Sequence, residues 1–107
     1  MSFYLVKTNS DIITDGEREN IRYQDGVQIE YGNINLAGDT EAVNVAYLRP
    51  FSGLTRGVAS WRFMYEAYGH VSFTETNEES CSIYARGLNN GISQPRSVSY
   101  FVIGRWK

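Results

Sequence analysis

A chain of 107 residues has room for one core and no second one. Its 42% apolar and 14% aromatic content, with eight tyrosines, is that of a folded domain and excludes wholesale disorder. A formal net charge of −2 gives no basic stripe for nucleic acid, no apolar run is long enough to span a membrane, and a single cysteine allows no internal disulfide.

Residues 1–20 differ from the rest of the chain. Phe3 to Val6 is a short apolar run suited to a strand or to packing on a neighbour. The polar passage from Asp11 to Asn20 has turn chemistry and little to bury, so residues 1–20 read as an N-terminal arm and linker, with a frayed terminus as the plain alternative. The start is too short and too quickly polar to be a secretory signal, which fits synthesis in a reducing cytoplasm.

From Ile21 the pattern is strand-like, and residues 21–107 read as the folded domain. Asp25-Gly26 is a preferred pair for a two-residue hairpin turn. After it, Val27, Ile29 and Tyr31 alternate with Gln28, Glu30 and Gly32, which predicts a half-buried strand whose apolar set serves the core or a subunit seam. Val43, Val45 and Tyr47 alternate in the same way until Arg49-Pro50 stops the ladder. In residues 57–68, Ala59, Trp61, Phe63, Tyr65 and Ala67 share one face at period two, which a helix would not give. Val71 and Phe73 mark a further strand, and Cys81, Ile83 and Ala85 another. Residues 97–107 close the set, with both faces apolar from Tyr100 to Ile103, which predicts a central strand dry on both sides. Gly104 marks a bulge or a close approach. The sum is an all-β chain, an antiparallel β-sandwich of about six or seven strands.

Chemistry-bearing residues are sparse. His70 and Cys81 are single representatives of their types, too few for a zinc site, and no phosphate-cradling or nucleophile-elbow motif occurs. No catalytic residue, metal ligand or cofactor is expected, and the chain does not read as an enzyme. Cys81 reads as a small core residue. The loop from Gly87 to Arg96 is too polar to pack. Asn89, Asn90 and Gln94 offer paired donors and acceptors of the kind sugar hydroxyls need, and Arg96 adds a planar fork for an acidic group. These four are the candidate ligand-binding residues; the alternative is that Asn-Asn-Gly and Gln-Pro only form turns.

Three stretches resemble the small C-terminal domains of bacteriophage tail fibres. Asp25-Gly26-Val27-Gln28-Ile29-Glu30-Tyr31-Gly32 is similar to their opening strand, and Val43 to Phe51 is similar to the strand that runs into a Pro/Phe corner. Tyr100-Phe101-Val102-Ile103-Gly104-Arg105-Trp106-Lys107 resembles their closing strand. Such domains are similar in fold to H-type lectins, which are trimeric sugar-binding sandwiches. The resemblance implies a homotrimer in a virion tail, made in the host cytoplasm, that binds a bacterial surface glycan. Arg62 and Glu66 are candidates for charged pairs near the three-fold axis. A second reading is a structural virion protein, such as a fibre adaptor, baseplate piece or decoration protein, whose N-terminal arm joins other virion proteins. A separately encoded small protein and a piece of a longer fibre both fit, and the Met1-Ser-Phe start slightly favours the first.

Overall fold

The computed structural model describes residues 10–36, 40–63, 69–87 and 96–107. These contain eight strands and no helix: β1 (Asp11–Asp15), β2 (Arg18–Arg22), β3 (Val27–Leu36), β4 (Thr40–Ala46), β5 (Arg56–Phe63), β6 (Gly69–Glu75), β7 (Ser80–Gly87) and β8 (Arg96–Arg105). They form two antiparallel sheets, one of five strands in the order β1-β2-β3-β8-β5 and one of three in the order β4-β7-β6. The chain is thus an all-β antiparallel sandwich, and β8 lies inside the larger sheet as its apolar content predicts.

The core lies between the sheets. Val45, Cys81, Ile83 and Ala85 come from the smaller sheet, Val98, Tyr100 and Val102 from β8, and Tyr47 and Phe51 from the corner after β4. The rings of Tyr47 and Phe51 meet edge to face at 4.8 Å, so the Pro/Phe corner closes one end of the core. A close approach explains Gly104: a Cβ there would crowd the Phe51 ring at 2.9 Å. Gly57, on the inner face of β5, leaves room for the Phe73 ring of the opposite sheet.

Three expectations need correcting. The passage from Asp11 to Asn20, expected as linker, forms β1 and most of β2, a hairpin that continues the larger sheet. Gly16, at φ 61°, supplies the tight turn between them. The hairpin lacks an apolar signature because β1 is exposed along its length and the buried side chain of β2 is Asn20. Second, the turn at Asp25-Gly26 is a three-residue loop, with Tyr23 N donating to Val27 O (2.8 Å) and Gly26 N to Tyr23 O (3.0 Å).

The third correction concerns the faces that β3 and β8 turn outward, since dryness on both sides of β8 was expected. Gln28 and Glu30 are fully buried, while Val27 and Ile29 are half-buried and Tyr31 is exposed on the other side. The adjacent central strand behaves alike: Tyr100 and Val102 point into the core, but Phe101 and Ile103 are exposed rather than dry.

Polar partners make this inversion possible. Glu30 Oε1 accepts from Asn20 Nδ2 (2.8 Å) and Leu48 N (2.7 Å), and Oε2 accepts from Tyr100 Oη (2.8 Å) and Arg18 Nη2 (3.1 Å). Arg18 also donates through Nε to Tyr100 Oη (2.8 Å) and through Nη2 to Ala46 O. Gln28 Oε1 accepts from Arg22 Nε (2.8 Å), and its Nε2 donates to Arg49 O (3.0 Å). Arg49 in turn donates to Asn20 Oδ1 (2.9 Å) and Asp11 Oδ2 (2.8 Å). A buried carboxylate with all four acceptor positions used is tolerable; one without partners would not be.

Stability measurements can test these assignments. Glu30→Ala removes an acceptor from Arg18, Asn20, Tyr100 and the Leu48 N–H and should cost about 3–5 kcal/mol in urea unfolding monitored by circular dichroism. Gly57→Ala, which drives a methyl group into the Phe73 ring, should cost about 1–3 kcal/mol in the same assay. Burial pushes the Tyr47 and Tyr100 hydroxyls well above the usual tyrosine range and the Cys81 thiol up to about 11. Each group holds its proton more tightly folded than unfolded, so its contribution is complete below the unfolded-chain value and is lost as pH rises from there towards the folded one. The urea midpoint should therefore be level from about pH 7 to 8.5 and fall between about pH 9 and 11.

Candidate functional site

The structure reaches the loop expected to bind ligand only at its borders. Asn89, Asn90 and Gln94 lie outside the described residues, and Arg96 opens β8, where its backbone pairs with Leu36. The register places the strands on either side of the loop. Leu36 faces Arg96, Thr40 faces Arg86, Gly69 faces Gly87, and Phe63 faces Ser97, so the strand ends that border residues 88–95 gather at one end of the sandwich. His70 stands on β6 with its backbone paired to Arg86. Cys81 is fully buried, as expected of a core residue. The Arg62 side chain and Glu66 lie outside the described residues. Among those described, no group of three or more His, Cys, Asp or Glu side chains could hold a metal ion.

Two surfaces stand out. The first is the outer face of the five-stranded sheet. Ile12, Ile21, Ile29 and Ile103 lie in one cross-strand row on four neighbouring strands. The next row joins Tyr31, Phe101 and Val58, which are 39%, 41% and 66% exposed. Large apolar side chains in contiguous rows on a solvent-facing sheet mark an interaction face rather than scattered surface apolarity. The outer face of the three-stranded sheet differs, with Asn44, Ser72 and Thr74 exposed there.

The second surface is a cleft of about 260 Å³ at the end of the sandwich opposite those strand ends, lined by Asp11, Arg22, Tyr23, Gln24, Trp106 and Lys107. Its wall is held rigidly. Trp106 Nε1 donates to Tyr23 O (2.8 Å) and its backbone N to Gly26 O (2.9 Å). The Arg22 guanidinium lies 5.4 Å from the centre of the Trp106 ring and the Lys107 ammonium 5.0 Å, so two cations share one indole. Arg22 is fixed by two uncharged acceptors, Gln28 Oε1 and Pro50 O, each at 2.8 Å. Burial and the nearby Arg49 lower the Arg22 pKa, which Asp11 partly offsets. Sequence reasoning reached Trp106 and Lys107 only as part of a terminal motif and missed Asp11 and Arg22. Their place in the cleft depends on pairing between β1, β2 and β3 and on the docking of the last strand.

No protein family matches the sequence, and no curated protein is significantly similar to it. Solved structures do resemble it. An N-truncated R2-type pyocin tail fibre matches with a TM-score of 0.71 at 16% identity, over 92% of this chain and 38% of the other. The C-terminal part of the R2 pyocin fibre of P. aeruginosa matches equally well over 26% of its length. An N-truncated R1-type pyocin tail fibre matches with a TM-score of 0.66 at 9% identity, over 91% of this chain and 86% of the other. The chain thus spans about two fifths and a quarter of the two R2 fibre structures. At such identities the likeness is one of architecture: this chain has the fold of a pyocin tail-fibre domain.

Proposed function

We propose that this protein is a tail-fibre domain that attaches a phage or phage-like tail to glycans on a bacterial surface. The observation that carries the reading is the fold, shared with pyocin tail fibres over 92% of the chain. The three-fold assembly implied by the H-type lectin resemblance has a surface to use, the rows Ile12-Ile21-Ile29-Ile103 and Tyr31-Phe101-Val58 on the larger sheet. Closed symmetry would hide this face from solvent and leave the polar outer face of the smaller sheet exposed. The loop carrying Asn89, Asn90, Gln94 and Arg96 then serves as the sugar-contacting element at one end of the trimer, presented by a rigid scaffold.

One observation favours the structural alternative. Among the described residues β1 pairs with β2 on one side only, and its residues are exposed throughout. Such an open edge accepts a strand from a neighbouring virion protein.

A glycan array and light scattering test the proposal together. The expected outcome is a trimer at micromolar concentration, dissociated by Phe101→Glu, that binds bacterial surface sugars. Changing Asn89, Asn90 and Arg96 together to Ala should reduce that binding at least tenfold with the trimer intact. A monomer would overturn the assembly, and a trimer silent across the array would favour the structural role.

A further inference from the structure

We propose that the Trp106 cleft is a second ligand site, for a pyranose carrying an anionic substituent. This goes beyond the loop-centred reading, since the cleft lies at the opposite end of the sandwich from the strand ends that border residues 88–95. Four features of the cleft carry the inference.

The first is charge. Arg22 and Lys107 both line the cleft, and the acceptors that fix Arg22 are uncharged, so its charge is placed without being neutralised by them. The one acidic side chain in the wall, Asp11, is turned to Arg49, with Oδ2 2.8 Å from Nη1. An anionic group entering the cleft therefore meets two cations and one acid, whose carboxylate is paired with Arg49.

The second is the aromatic wall. Trp106 is half-buried, lines the cleft, and is held through both its indole and its backbone N–H groups. Such a ring gives the C–H face of a sugar an apolar surface at little entropic cost. The third is polarity: Tyr23 and Gln24 complete the lining, both residue types able to hydrogen-bond ring hydroxyls. The fourth is size. About 260 Å³ falls below the usual volume for drug-sized ligands and suits a single sugar ring. A bare small anion would use the cations and leave the aromatic wall idle, and a neutral sugar would do the reverse. A ring bearing a carboxylate or a phosphate uses both.

Two-dimensional ¹⁵N NMR of the whole chain tracks the indole N–H of Trp106, identified by its loss in Trp106→Phe, with Trp61 as internal reference. At constant ionic strength, D-glucuronate and D-glucose 6-phosphate represent the two sources of negative charge, and D-glucose, acetate and inorganic phosphate serve as comparisons. Glucuronate, glucose 6-phosphate or both should shift the Trp106 signal with at least tenfold tighter binding than any comparison compound, leaving Trp61 in place. The tighter of the two tells carboxylate from phosphate. Lys107→Gln, at an exposed position, should weaken that binding at least fivefold with the remaining spectrum unchanged.

Equal shifts by acetate or inorganic phosphate would reduce the cleft to an adventitious ion site and overturn the proposal. So would equal binding of glucose, no effect of Lys107→Gln, or no shift with any compound. Because the readout is local to Trp106, its failure leaves array binding through the loop standing. Conversely, a silent array leaves the cleft to be decided by the titration alone.

Discussion

A buried carboxylate organises this sandwich. Glu30 sits on the inner face of β3 with no solvent exposure, and each of its oxygens accepts two hydrogen bonds. A negative charge in that place is tolerable only while Arg18, Asn20, Tyr100 and the Leu48 N–H stay where they are. Those four groups belong to β2, β8 and the corner after β4. One side chain thus ties the hairpin to the sheet, the sheet to its central strand, and both to the crossover into the second sheet. Gln28 repeats the arrangement one step along, bridging Arg22 and Arg49 O.

This inward polarity has an outward counterpart. Side chains alternate along a strand, so turning Gln28 and Glu30 inward forces Val27, Ile29 and Tyr31 outward. On β8 both sets are apolar, so Phe101 and Ile103 continue the same outer rows without removing Tyr100 and Val102 from the core. The exposed apolar face is therefore a consequence of how the interior is satisfied, and it extends to Val58 on one side and Ile12 on the other. On the smaller sheet, Cys81, Ile83 and Ala85 face inward, and the outer face is polar.

The same physics set the limits of what the sequence could reveal. Alternation located the strands from β3 onward, because a period of two is visible whichever side is buried. It could not say which side, and for β3 it left the apolar set open between the core and a subunit seam. The β1–β2 hairpin was illegible because its buried side chain is an asparagine serving a carboxylate ten positions away, and amphipathic patterns do not record such partners. The cleft was hidden for a related reason. Arg22 and Trp106 are brought together by strand pairing, and no spacing along the chain announces their contact. The loop of Asn89, Asn90 and Gln94 was legible only as polar composition, which describes turns and ligand sites equally well.

The position of β8 bears on how the chain acquires its structure during synthesis. It supplies ten register pairs to β3 and the inner neighbour of β5, yet it is the last of these eight strands to be synthesised. Until then the nascent chain can form local units, the β1–β2–β3 meander and the β6–β7 hairpin, but the larger sheet lacks its middle. Glu30 lacks the Tyr100 hydroxyl for the same interval, so the hydrogen bonds that neutralise it are completed only near the end. Such long-range pairing makes the search slow, and the exposed isoleucine and aromatic rows assemble at the last step. Sheet completion and the appearance of the sticky outer face therefore coincide.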